Sequence, residues 1–253
     1  MFFGNDLSYI ATLPNKVLTI EEIRVVLTRL HNCQVTGKTS TRKWWPEMIA
    51  GESYLQRHKK HTPASMSAWQ QLMVFRLSCC CGLRRMEIGN LRLKDMDLHS
   101  PRPHLKIRSA ATKSSRFGPG KPRAVPLWWD KATLEDLRDY EAYLETRNGP
   151  EEDIDNPYVC HDSRSVQASV PLHKATIQYR WDAAVKILPK QRRLSIHCGR
   201  HSFCTHALVA GRTVVEVQQA AGHSQIMTTQ IYLHALESGR ELPDVFPEEE
   251  IDW

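Results

Sequence analysis

The chain has 253 residues, 41% of them hydrophobic and 25% charged, with a net charge of +6. That length allows one large domain or two small ones with a proper core, and the balance is ordinary for a soluble globular protein. The last thirteen residues hold six acids and no Lys or Arg, so the preceding body carries +12, a surplus that suits a polyanion partner. Charge alone also fits a basic protein with no nucleic-acid partner. No apolar run reaches membrane-spanning length, and the stretch MFFGNDLSYIATLPNK lacks the order of a secretory signal. Seven cysteines, an odd number with three consecutive (Cys79, Cys80, Cys81), point to buried thiols in a reducing, cytoplasmic compartment.

In chain order, the first signal is Leu18-Thr19-Ile20-Glu21-Glu22-Ile23. Thr19 and Glu22 make a capping box and Leu18 with Ile23 a hydrophobic staple, for a helix continuing through Val26, Leu27 and Leu30. Residues 31–65 read as a long basic connection with Lys43 beside Trp44-Trp45 and a short helix around 46–56, either tracking a nucleic-acid backbone or solvated. Met66 to Cys81 is an apolar helix ended by Gly82, and Leu83 to Leu91 a second, short one. Leu105 and Ile107 alternate with Lys106 and Arg108, which suggests a strand, and the basic segment from Lys113 to Arg123 turns through Gly118-Pro119-Gly120 and leads into Ala124–Leu127, which together make a β-hairpin with a long loop. Asp130 caps a helix stopped at Gly149, a short strand is possible at 158–160, and Lys174–Leu188 is an amphipathic helix ending at Pro189. The fold expected is mainly α with a small antiparallel sheet (α+β).

Ser195 to Ala235 holds the polar residues that organise the rest. His197 and Arg200 are three apart and share a helix face. His223 follows a glycine at a helix end, and Tyr232 lies in a further helix. Breaking a phosphodiester without a metal requires fixed cations with directional donors, and arginine pairs bidentately with phosphate without losing its charge. Arg84 and Arg200 offer this, with His197 and His223 as further donors. A lysine on a hairpin, Lys113, can protonate a leaving oxygen, and the Tyr232 phenol is a nucleophile that neighbouring positive charge would activate.

These residues resemble the catalytic domain of the tyrosine recombinases, the phage-integrase type of site-specific recombinase. Gly82-Leu83-Arg84-Arg85-Met86-Glu87 looks like the family's first arginine box. His197-Cys198-Gly199-Arg200-His201-Ser202-Phe203 looks like its His-x-x-Arg-His-(Ser/Thr)-Phe box. Ala221-Gly222-His223-Ser224 and Thr228-Thr229-Gln230-Ile231-Tyr232-Leu233-His234 look like its closing segment, and Thr112-Lys113 with Arg123-Ala124-Val125-Pro126-Leu127 is similar to its lysine hairpin. The resemblance implies a tyrosine recombinase/type IB topoisomerase-like fold and attack by Tyr232 on the scissile phosphate, giving a 3′-phosphotyrosyl link. It implies that Arg84 and Arg200 clamp the phosphate, His197 and His223 assist, and Lys113 protonates the leaving oxygen. Glu87 would orient Arg84 or His197. No metal or nucleotide cofactor is implied; double-stranded DNA and a homo-oligomer, dimer or tetramer, on it are.

Several residues carry alternatives. Arg85 is expected at a backbone phosphate or the surface, and Lys121, Arg123 and Lys43 at DNA, with Lys121 the rival of Lys113. His201, His206 and His234 suit helix packing. His197 and His201 have the i, i+4 spacing of a zinc helix but lack its glutamate, and no Cys-x-x-Cys accompanies them. The Leu-Thr-x-Glu-Glu signature that usually opens the catalytic domain stands already at Leu18. The expected division is therefore a linker remnant over 1–17, a catalytic domain over 18–240 and an acidic tail over 241–253, which could dock on a basic protomer surface. The family's N-terminal DNA clamp is expected to be missing, by truncation or in a natural short form. A reading of a different class is a DNA-binding regulator derived from a recombinase without catalysis; relaxation of supercoils is a related enzymatic one.

Overall fold

The computed structural model describes residues 16–36, 63–108, 122–148, 156–162, 168, 170–189, 192–223 and 229. Helix α1 (Ile20–Thr36) opens on the capping box. The Thr19 N–H donates to Glu22 Oε2 at 2.8 Å and the Glu22 N–H to Thr19 Oγ1 at 3.1 Å, with Leu18 and Ile23 buried alongside. The helix continues past Leu30 because His31 Nε2 meets both carboxylate oxygens of Asp136, at 2.9 and 3.0 Å, and Cys33 is buried. The helix therefore extends to Thr36, beyond residue 31 where the polar connection was expected to begin.

Helix α2 (Pro63–Cys79) starts on a proline, which loses no hydrogen bond at a first helical position. From Met66 onward nearly every side chain is buried, the fate of a helix that is apolar all round. The chain leaves α2 through Gly82, whose φ of +65° suits glycine and whose Cα packs so closely on Phe203 that a Cβ would collide with the ring. Helix α3 (Arg85–Asn90) follows at once.

The sheet is antiparallel in the order β1 (Met96–Asp97), β2 (His104–Ile107), β3 (Arg123–Pro126). The hairpin register pairs Leu105 with Val125 and Ile107 with Arg123. The two-residue β1, which pairs Met96 with Leu105, carries too short a pattern to be read from sequence. The segment expected as a short strand at 158–160 forms a single bridge instead, Tyr158 to Arg92, with a second just beyond it from His161 to Pro171. Helices α4 (Lys131–Asn148), α5 (Lys174–Val185), α6 (Ile196–Val209) and α7 (Val214–Ala221) complete the described fold. Around α2 pack α1, α5 and α6, while β3 lies against α7. No helix among the described residues is long and apolar enough to cross a membrane.

Two polar junctions inside this core fix its helices. Arg76 of α2 is buried and donates to Asp136 Oδ2 at 2.7 Å and Thr133 Oγ1 at 2.9 Å, which fixes α4. Burial alone would raise the Asp136 carboxyl, but the Arg76 charge and the His31 hydrogen bond hold it below the usual carboxylate range. Helix α6 in turn grips the backbone of Leu18. The Leu18 N–H donates to Ser202 Oγ at 2.8 Å, and His206 Nε2 donates to the Leu18 carbonyl at 2.7 Å. Ser202→Ala is expected to leave the Leu18 N–H unsatisfied and to cost about 1–3 kcal/mol in urea unfolding. An unchanged midpoint would mean that Ser202 does not hold this junction.

Candidate active site

Three arginines from three elements meet at the C-terminus of α7. That helix begins with a Thr213–Glu216 capping box and ends where Gly222 takes φ +66°. The Gly222 and His223 N–H groups fold back onto Gln219 and Gln218 carbonyls, at 3.1 and 3.0 Å, closing a Schellman turn. Three successive carbonyls are then taken by guanidinium groups. Arg123 Nε donates to Ala220 O at 2.8 Å, Arg200 Nη2 donates to Ala221 O, and Arg84 Nη2 donates to Gly222 O at 2.7 Å. The negative end of the helix dipole favours cations here.

Glu87 ties the set together. Arg84 is the residue before α3, and its backbone N–H donates to Glu87 Oε2 at 2.8 Å while its Nη1 donates to Oε1 at 2.9 Å. Arg123 meets the same carboxylate with both Nη groups, Nη1 to Oε1 at 2.8 Å and Nη2 to Oε2 at 2.9 Å. Two oxygens thus accept four hydrogen bonds, the full capacity of a carboxylate. Glu87 is fully buried, which by itself would raise its pKa; the Arg123 hydrogen bonds and the charges of Arg123, Arg200 and Arg84 bring it down to about 2.

Arg200 lies deeper than Arg84. Its side chain is 7% exposed and its Nη1 also donates to Gly82 O at 2.6 Å, whereas the Arg84 side chain is 32% exposed. Burial and the Arg84 and Arg123 charges lower Arg200 to about 10, against opposing contributions from Cys204 and Glu87. It remains a cation at neutral pH.

The imidazoles divide by depth. His197 is exposed in the first turn of α6, and His201 one turn on is half-buried. Burial, with the His197, Lys16 and Arg200 charges, lowers His201 to about 4. His223, just past the Schellman turn, is lowered to about 3 by burial and then by Arg200, Arg84 and Arg123. It is therefore neutral at pH 7. Its Nδ1 lies 2.9 Å from the hydroxyl of the buried Thr229. His206 serves packing, with its ring edge-on to Trp129.

The structure thus brings together Arg84, Glu87, Arg200 and His223 and leaves His197 at the rim. Arg85 is half-buried in the first turn of α3. Arg123 departs from the expectation of a DNA contact: its side chain is 9% exposed and committed to Glu87 and Ala220. The signal for this was the strand period, which puts Arg123 on the same face as buried Val125 and opposite exposed Ala124. Lys43, Lys113, Lys121, Tyr232 and His234 lie outside the described residues, as do the 46–56 helix and the acidic tail.

The sequence pattern of the phage integrase family matches residues 52–238, and with this fold and this arginine centre the chain belongs to that family as a tyrosine recombinase catalytic domain. Among curated relatives it is 32% identical over 166 residues to tyrosine recombinase XerA of Thermococcus onnurineus, a match covering 63% of this chain and 49% of that one. It is 29% identical over 164 residues to tyrosine recombinase XerC of Alcanivorax borkumensis, covering 64% and 46%. The chain thus spans about half the length of the curated relatives it matches. The fold is similar to that of the XerA recombinase crystal structure, with a TM-score of 0.57 and 21% identity over 88% of this chain and 63% of that one. It is equally similar to XerH bound to its difH substrate in a pre-cleavage complex, with a TM-score of 0.57 and 20% identity over 88% and 51%.

Proposed function

We propose that this chain breaks and rejoins DNA strands at a specific site through a covalent 3′-phosphotyrosyl intermediate. One observation carries the reading: Arg84 and Arg200, from distant parts of the chain, end on neighbouring carbonyls beside a shared carboxylate. A scissile phosphate over Arg84 would meet a partly open guanidinium in front and a buried one behind. Charge developing on its non-bridging oxygens is stabilised by cations that need no reorganisation.

Tyr232 supplies the nucleophile. Its phenolic oxygen bonds to phosphorus, the bond from phosphorus to the 5′ oxygen breaks, and that oxygen takes a proton from Lys113. The phenol's own proton passes to solvent or a neighbouring base, so atoms and charge balance. The phosphodiester energy is kept in the new link, and a second strand's 5′-hydroxyl reverses the step. Neutral His223 acts as a hydrogen-bond donor rather than a cation. The Ile107–Arg123 pair, which closes the described part of the lysine hairpin, lies beside Glu87, which supports the placing of Lys113 in this centre. The partner is double-stranded DNA, engaged through the basic body with a steep salt dependence, and assembly on DNA is as a homo-oligomer.

The test begins with DNA recovered in covalent linkage to the protein under denaturing conditions, whose sequenced ends define a site. A nicked duplex built on that site should trap wild-type protein covalently, and Tyr232→Phe should lower trapping by several orders of magnitude. Equal trapping by both proteins, or salt-sensitive binding with no trapping, would refute strand exchange.

A further inference from the structure

Arg123 lies where a DNA contact was expected, yet its side chain turns inward and is only 9% exposed. Of its five N–H donors, one from each nitrogen is engaged, two by the Glu87 oxygens and one by the Ala220 carbonyl. One face of its guanidinium is covered by Gly222: a Cβ at that position would lie 2.8 Å from Arg123 Cζ. Two Nη N–H donors remain, but the side chain that carries them is only 9% exposed, and turning it out toward a phosphate would break its bidentate pair with a fully buried carboxylate. The same side chain joins three elements, since β3 carries it, α3 holds Glu87 and α7 offers Ala220.

We propose that Arg123 is a positioning residue that acts through Glu87: it locks the carboxylate that orients Arg84 and fastens the return strand of the lysine hairpin to the arginine centre. The proposal rests on the strand-exchange reading above for its effect on cleavage, but not for its geometry. Arg84 donates two of the four hydrogen bonds that Glu87 accepts, and Arg123 donates the other two. Without Arg123 the carboxylate is free to rotate about its last bond, and Arg84 rotates with it. A lysine in its place keeps the charge but cannot span both carboxylate oxygens and the Ala220 carbonyl at once.

Arg123→Lys in the full chain tests this, with Arg123→Gln as a second variant. On a saturating nicked duplex the rate of covalent trapping should fall about 10- to 100-fold, the loss expected when a reacting group shifts by about an ångström. DNA affinity and its salt slope should stay at wild-type values. In an Arg84→Ala background, Arg123→Lys should cost no further rate, because its route to the phosphate is already gone. A lowered salt slope with unchanged cleavage would make Arg123 a phosphate ligand and overturn the proposal, and so would a full additional loss in the Arg84→Ala background. A second arm needs no DNA. Carbon-13 NMR of the Glu87 carboxyl should show its titration moving upward by about one unit or more in Arg123→Lys, and an unmoved titration would also overturn the proposal. If wild-type protein traps no DNA, the strand-exchange reading fails while the titration still decides whether Arg123 holds Glu87.

Discussion

Glu87→Gln is expected to destabilise the protein by about 3–5 kcal/mol, the cost of removing one partner from a buried ionic cluster, and to reduce covalent trapping at least as much as loss of Arg123. The amide has the right shape and the wrong chemistry. Glu87 accepts from Arg84 twice and from Arg123 twice, whereas a glutamine offers one oxygen and turns an NH2 group toward guanidinium donors. Three guanidinium groups would then face one another without the buried counter-charge. The depression of Glu87 to about 2 from a usual value near 4.5 corresponds to about 3 kcal/mol of stabilisation at neutral pH, which agrees with the lower bound. For a domain of this size the loss should lower the melting temperature by roughly 6–20 °C. Calorimetry of wild type and Glu87→Gln decides it, and a melting temperature within a degree of wild type would show that the carboxylate does not hold the centre. Glu87→Asp, which keeps the charge on a shorter stem, should fall between.

The second large effect is loss of stability in mild acid, beginning well above the carboxylate range. His201 and His223 titrate at about 4 and about 3 in the folded protein, against 6.5 for an exposed imidazole. Below pH 6.5 the unfolded chain therefore binds two protons that the folded chain refuses. Stability falls as pH falls, by at most about 1.4 kcal/mol per pH unit for each histidine. Glu87 adds a loss of the same sign between about pH 4.5 and 2, where its carboxylate protonates first in the unfolded state. Between pH 7 and 4 the loss should be on the order of 5 kcal/mol. Urea midpoints at pH 7, 5.5 and 4 measure it, and His201→Gln should flatten the slope by about half. A wild-type midpoint constant from pH 7 to 5 would show that these imidazoles are not held neutral.

What could be read from the sequence was whatever is local or chemically distinctive. The Thr19–Glu22 box and Gly222 each mark a helix end, Gly82 takes a left-handed turn three residues beyond the end of α2, and the His-x-x-Arg pair lies within α6; each expresses a rule that acts within a few residues. The long-range pairs were hidden. Arg76 is a lone cation in an apolar helix whose partners, Asp136 and Thr133, come from α4, and nothing in the helix itself announces them. Likewise Ser202 and His206 were read within their own motif and helix, yet they hold Leu18, at the far end of the chain. Arg123 was read as a DNA contact because it is a basic residue near a basic loop, and its internal partners Glu87 and Ala220 come from other elements. Only the alternation along β3, applied strictly, turns it inward.

The three guanidinium groups on Ala220, Ala221 and Gly222 make the length of α7 as constrained as its composition. Each residue added to or removed from a helix turns everything beyond it by about 100° and shifts it by about 1.5 Å. An insertion or deletion between the Thr213 cap and Gly222 would swing the whole row of acceptors away from its arginines at once. A change in the residue count of α7 therefore cannot be absorbed without dismantling the centre.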